Sequence, residues 1–217
     1  MYKIDLHTHS KASPDGCLTI DNYCQMIDSN KLNFIAVADH NIISFAQQLQ
    51  AKLGASIIVG EEVTTNDGHL IGLYLKEAIK PGLSAAETAD LIHDQNGLVY
   101  VPHPFEKRTR QSLSRQVLEA ITDKVDIVEV FNGRARLASS GKLAMSWALE
   151  HKKAFAASSD AHGPHGWGQT YSRIDMLPER DNLLDLLNSP SIAAGSVGLI
   201  GRLYPELNRI RKQVHHG

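Results

Sequence analysis

The sequence predicts an α/β fold, a distorted (β/α)7 barrel with a C-terminal helical extension. Three observations carry that expectation. Short apolar runs rich in branched residues recur along the chain, segments of helical periodicity separate most of them, and most of the runs end in histidines or carboxylates. The 217 residues, 42% hydrophobic and 21% charged, are those of a soluble globular protein able to bury a sizeable core. No repeat or linker interrupts the pattern, so the simplest division is a barrel domain over residues 1–172 and a helical extension over 173–217 that packs on it.

Taken in order, residues 2–6 read as a buried strand, because polar alternation is nearly absent. A helix is expected over 19–29, a strand over 34–38, and a helix over 44–53 with Phe45, Leu49 and Leu53 on one stripe. The next two strands, 56–60 and 70–75, are joined by a connection too short for a crossover helix. They are expected to form an antiparallel hairpin, which distorts the barrel. Ser84-Ala85-Ala86-Glu87 is a capping-box start, and Asn96-Gly97 a stop for the same helix. Strands at 98–101, 126–131 and 154–157 alternate with helices at 112–121 and 135–150. Beyond Tyr171 the pattern weakens to a short helix at 181–188 and a last helix. In that last helix Leu203, Leu207, Ile210 and Val214 mark one face, and Arg209, Arg211 and Lys212 lie on the other, expected to be solvated, with contact to a partner as the alternative.

A formal charge of −2 and a pI near 6.6 give no general pull toward nucleic acid or an anionic membrane. Stable nucleic-acid binding and membrane association are therefore not expected. Cys17 and Cys24 alone cannot build a cysteine zinc knuckle or a disulfide scaffold. With no secretory leader pattern and no apolar stretch of spanning length, the expected location is the cytoplasm.

In a parallel barrel the loops at the C-terminal strand ends converge on one mouth. Here those ends carry His7 and His9, Asp39-His40, Glu61-Glu62, His103, Glu129 with Asn132, and Asp160 with His162. His7 and His9, two apart on a strand, share a face, and Asp15 follows closely enough to join them. His69 precedes its strand, but an antiparallel strand would begin at the same mouth. Gathering so many histidines and carboxylates would be costly to desolvate without cations. The donors are nitrogen and oxygen without sulfur, which suits zinc, manganese or iron, and they are too many for one ion.

His7-Thr8-His9, Asp15-Gly16, Ala38-Asp39-His40-Asn41, Gly60-Glu61-Glu62, Gly68-His69-Leu70, Pro102-His103-Pro104, Glu129-Val130-Phe131-Asn132 and Ser159-Asp160-Ala161-His162 together resemble the ordered motifs of the PHP (polymerase and histidinol phosphatase) family. The resemblance spans residues 4–162. It implies a distorted (β/α)7 barrel holding two or three divalent metal ions, usually with phosphoesterase activity. By position, His7, His9, Glu62 and Asp160 would hold a first ion, and Glu62 would bridge to a second held by His69 and His103. Asp15, His40 and His162 would hold a third; the family varies at the position of Asp15, and Glu61 is the fallback for Glu62.

A metal-bridging hydroxide would then attack phosphorus in line, with Asp160, His9 and Glu62 as the catalytic set and Asp160 moving the proton. Lys107, Arg108 and Arg110 after the fifth strand, and Arg134 and Arg136 after the sixth, are candidates for gripping phosphate, Arg134 first among them. The expected substrate is the phosphate ester of a small metabolite or nucleotide, with protein partners left open. The alternatives are a metal-dependent amide or cyclic-ester hydrolase and a non-catalytic metal-binding module.

Overall fold

A computed structural model describes residues 1–106, 111–135 and 138–215. Strand β1 (Tyr2–Thr8) leads through helix α1 (Ile20–Asp28) to β2 (Phe34–His40), and α2 (Ser44–Leu53) leads on to β3 (Ile57–Thr65). These three strands are parallel, and β4 (Gly68–Leu73) returns antiparallel to β3 as the expected hairpin. At its turn Gly68 has φ +136°, and a Cβ there would come within 2.9 Å of the Leu113 backbone nitrogen, so both conformation and space require glycine. Helix α3 (Ala85–Asp94) begins in the expected capping box between Ser84 and Glu87. Then follow β5 (Leu98–Val101), α4 (Arg115–Ala120), β6 (Ile127–Asn132), α5 (Ala138–Glu150) and β7 (Ala154–Ser158). Because β5 is antiparallel to β4 and parallel to β6, every strand from β1 to β7 except β4 points the same way.

Two strands were not anticipated: β8 (Thr170–Ile174) and β9 (Ser191–Ala194), which extend the sheet to the order β7-β6-β5-β4-β3-β2-β1-β8-β9. Both are short, and alternate residues of β8 are only half-buried, so neither shows the apolar run that marked the others. The short helix α6 (Leu183–Leu186) lies between them, and the long α7 (Gly198–His215) follows β9.

The sheet closes at its mouth. Asp160 donates its backbone N–H to the His7 carbonyl at 2.9 Å and His9 donates to the Ala161 carbonyl at 2.8 Å, joining the end of β7 to β1. Lower down, Ser172 of β8 exchanges hydrogen bonds with the Ala157 backbone across the remaining gap. Ile4, Leu6, Ala36, Ala38, Tyr100 and Ile127 fill the interior, while Ile35, Val37, Val59, Val99 and Val128 pack outward against the helices. This strict alternation is broken where the site begins. A register shift between Asp5 and Thr8 lets Asp5 point away from the interior while His7 and His9 point into the mouth. A second shift between Glu129 and Phe131 re-aims Asn132 in the same way.

Asp5 is the buried clasp of this closure. Its carboxylate accepts from the Ser159 N–H at 2.9 Å, the Ser159 hydroxyl at 2.5 Å and the Trp167 indole at 3.1 Å. Burial raises its pKa to about 6 against the lowering effect of those donors. In Asp5→Asn an amide N–H would confront donors that cannot all turn away, so the variant is expected to lose about 2–4 kcal/mol of stability. Denaturant titration followed by far-UV circular dichroism measures it; a loss within experimental error would show that the clasp is not needed.

Candidate functional site

The nine expected ligands come together at the mouth, several of them held by a neighbour behind. His7 faces Glu129 through Nδ1, 3.2 Å from Oε1, and an N–H donated there leaves Nε2 with its lone pair aimed into the site. Glu129 is itself fixed by the Tyr100 hydroxyl at 3.0 Å, the His103 N–H at 2.6 Å and the Asn132 amide at 2.8 Å. His7 Nε2 lies 3.1 Å from His9 Nε2, and both face Glu62 Oε2, at 3.4 and 3.2 Å, and Asp160 Oδ1, at 3.6 and 3.5 Å. Asp160 adopts a left-handed backbone with φ 52°, which turns its carboxylate back over the mouth.

Glu62 divides its two oxygens. Oε1 lies 2.8 Å from His69 Nδ1 and 3.2 Å from His103 Nε2, while Oε2 faces His7, His9 and, at 3.3 Å, His40 Nδ1. Asp15 forms the third corner, with Oδ2 3.3 Å from His40 Nε2 and Oδ1 3.5 Å from His162 Nε2. His162 in turn places Nδ1 2.9 Å from the Asp160 carbonyl, which fixes the ring. The clusters overlap: His9 also groups with Asp15, His40 and His162, and His40 with Glu62 and His69. Glu61, the fallback, points elsewhere and accepts the Ile79 N–H at 2.8 Å.

The donor chemistry fits cations. Two imidazole nitrogens at 3.1 Å cannot both present lone pairs unless a proton or metal ion lies between them. Burial disfavours charge on His9, yet Asp160 and Glu62 outweigh it and raise its pKa to about 9. Burial likewise opposes ionisation of Glu62, but His40, His69 and His7 hold its carboxyl well below the usual range. For Asp160 the same opposition is overcome by Arg134 first and then His7. Burial, with His9 and Arg134 close by, pushes His162 down to about 3. The cluster therefore takes up cationic charge where it can and keeps its carboxylates ionised.

Arg134, the first-choice phosphate residue, stands at the mouth with Nη1 3.2 Å from Asp160 Oδ2. Lys107, Arg108, Arg110 and Arg136 lie outside the described residues. Above the cluster opens a cavity of about 360 Å³, floored by Asp15, His40, Glu62 and Asp160 and walled by Arg134, Arg202 and Arg209.

The last two arginines come from α7, and here the expectation of a solvated basic face is corrected for Arg209 and Lys212, while Arg211 stays exposed. Arg209 reaches Asp15 Oδ2 at 2.6 Å, and Asn208 donates to the carbonyls of Asp15 at 2.8 Å and His162 at 3.2 Å. Lys212 caps the carbonyls of Lys11, Ser13 and Gly16. The loop between β1 and α1 presents inward-facing carbonyls that only donors can satisfy, so the polar face of α7 turns in and the apolar face turns out. Glu129, Tyr100 and Asn132 were likewise not expected as supports. Glu129 and Asn132 belong to a recognised motif, but nothing local marked Tyr100 within its apolar strand.

The PHP domain family matches residues 5–121, from β1 through α4. The chain is 36% identical over 184 residues to the uncharacterized protein MJ0417 of Methanocaldococcus jannaschii, covering 81% of this chain and 71% of that protein. In three dimensions it is similar, with a TM-score of 0.66 and 18% identity, to a two-domain Bacteroides vulgatus protein containing a predicted PHP-like metal-dependent phosphoesterase. That likeness covers 89% of this chain, which spans only 65% of the other's length. It is also similar to an amidohydrolase from Chromobacterium violaceum with bound sulfate, with a TM-score of 0.58 and 17% identity over 82% of this chain and 92% of that one. The structural likenesses establish the fold, and the family match together with the 36% identical relative establishes that the chain belongs to the PHP domain family.

Proposed function

We propose that this protein is a metal-dependent hydrolase that cleaves the phosphate ester of a small metabolite or nucleotide. The observation that carries the proposal is the position of Glu62, one buried carboxylate facing two sets of imidazoles beneath an arginine-walled cavity. His7, His9, Glu62 and Asp160 would hold one divalent ion, Glu62, His69 and His103 a second, and Asp15, His40 and His162 a third, with zinc, manganese or iron as candidates. Such ions would lower the pKa of a shared water and draw charge from the phosphoryl oxygens.

The chain's own groups supply the rest. Asp160, between His7, His9 and Arg134, is placed to move a proton at Oδ1, and Asn132 fixes its other oxygen at 3.1 Å. Arg134 lines the cavity with its side chain about a quarter exposed, so its guanidinium can donate to an incoming oxyanion. The likeness to an amidohydrolase favours a second reading, hydrolysis of an amide or cyclic ester by the same centre. Three arginines around the cavity favour phosphate. A non-catalytic metal-binding module would not need all nine ligand positions, and all are filled. No helix among the described residues is long and apolar enough to cross a membrane, and the proposed setting is the cytoplasm.

Protein loaded with metal is expected to hydrolyse members of a panel of phosphomonoesters, phosphodiesters and bisphosphates. Chelation should abolish turnover, and metal should restore it. Asp160→Asn and His9→Ala should each lower kcat by at least about a thousandfold with metal in excess. A metal-replete protein inert on the phosphoester panel but active on amides or lactones would select the second reading.

Arg134→Ala should raise KM for the phosphoester about tenfold or more, with partial recovery in Arg134→Lys. Equal KM values in the two variants and the parent would remove Arg134 from substrate binding. Lys212→Ala, which frees three carbonyls of the Asp15 loop, should leave the fold intact and loosen the most weakly held ion several-fold, measured by metal titration with elemental analysis. Unchanged affinity for every ion would show that the loop holds itself.

A further inference from the structure

We infer that α7 is the self-association element of this protein, pairing in parallel with α7 of a second copy. The helix is amphipathic in the reverse of the usual sense. Gly201, Pro205 and Asn208 are buried and Lys212 half-buried on the barrel side, whereas Leu199, Ile200, Leu203, Leu207, Ile210 and Val214 are 51–77% exposed. Among these, Ile200, Leu203, Leu207, Ile210 and Val214 follow a spacing of three, four, three and four, the a and d positions of a heptad seam. From their exposures these side chains present on the order of 600 Å² of apolar surface, against the ~800 Å² that a standard interface takes from each partner.

Charge selects the partner and its direction. With Ile200, Leu207 and Val214 at a, Glu206 falls at g and Arg211 at e, five residues apart. In a parallel pair the g side chain of one helix meets the following e side chain of the other, so Glu206, exposed and 3.7 Å from Arg209 of its own helix, would also face Arg211 of the second copy, twice across the seam. An antiparallel pair would set Glu206 against Gln213 or another Glu206 instead. The seam is thus complementary to itself about a two-fold axis along the helix. A heptad seam this short could not hold a free peptide. Here, however, the helix is already formed and pinned to the barrel by Asn208, Arg209 and Lys212, so pairing orders little that is not ordered already. An anionic membrane fits less well. Helices that lie on lipid carry a cation-rich polar face, whereas Arg209 and Lys212 are engaged with the Asp15 loop and Glu206 lies 3.7 Å from Arg209.

Light scattering after gel filtration should give about twice the chain mass of 23.8 kDa. Leu207→Glu combined with Ile210→Glu should return the mass to that of one chain with an unchanged far-UV spectrum. Leu207→Cys should form a reducible intermolecular disulfide under mild oxidation that the parent, with Cys17 and Cys24, does not form; this arm decides the question should the glutamate variant misfold. A parent that stays monomeric at micromolar concentration would overturn the inference. So would a dimer that survives both glutamates, or a monomer that co-sediments with phosphatidylserine vesicles.

Discussion

Glu62 sits 2% exposed among His7, His9, His40, His69 and His103, its two oxygens pulled in different directions. Removing such a carboxylate from water is costly, and the cost is met only if cationic character surrounds it on every side. Much of the barrel's architecture can be understood from that requirement. The imidazoles must come from several different strands, because one strand offers only alternate positions to a face. Two rings of the site are also held at the far nitrogen, His7 by Glu129 and His162 by the Asp160 carbonyl, which keeps them from turning away.

Gathering these groups forces departures from regular geometry. A regular β1 could not aim Leu6 into the barrel and His7 into its mouth, since neighbours on a strand point to opposite faces. The register shift between Asp5 and Thr8 resolves the conflict, and Asp5 then serves on the outer side by fastening β1 to Ser159 and Trp167. The left-handed conformations of His103 and Asp160 belong to the same set of local distortions. Such backbone persists because the ladder on either side is over-determined. Strand closure and site geometry are for that reason coupled, and damage at Asp5 should be felt at His7.

The sequence revealed the barrel and the metal-ligand candidates because both leave local traces. Apolar runs mark buried strands, and histidines beside carboxylates at strand ends stand out against them. Even the reversed β4 could be inferred, since no crossover helix fits in its connection, and this placed His69 at the mouth. What stayed hidden was relational. The shifts in β1 and β6 leave no residue signature, Tyr100 looks like any apolar strand residue, and β8 pairs through backbone with little apolar character of its own. The periodicity of α7 was correctly read as two faces, but periodicity cannot say which face turns inward.

That last ambiguity has a physical resolution. An apolar face normally wins the inward position because burying it releases water, whereas burying carbonyls without donors costs about 1–3 kcal/mol each. Asp15 and His162 present carbonyls toward α7 in buried hydrogen bonds, and Ser13 and Gly16 in half-buried ones, all within or beside the histidine and carboxylate cluster, and Asp15 adds a charge. No leucine stripe could satisfy them. The helix therefore stabilises the mouth with Asn208, Arg209 and Lys212 and leaves its apolar stripe without cover from its own barrel. Because one helix carries both faces, the orientation that satisfies the Asp15 corner is the same one that leaves Leu207 and Ile210 exposed.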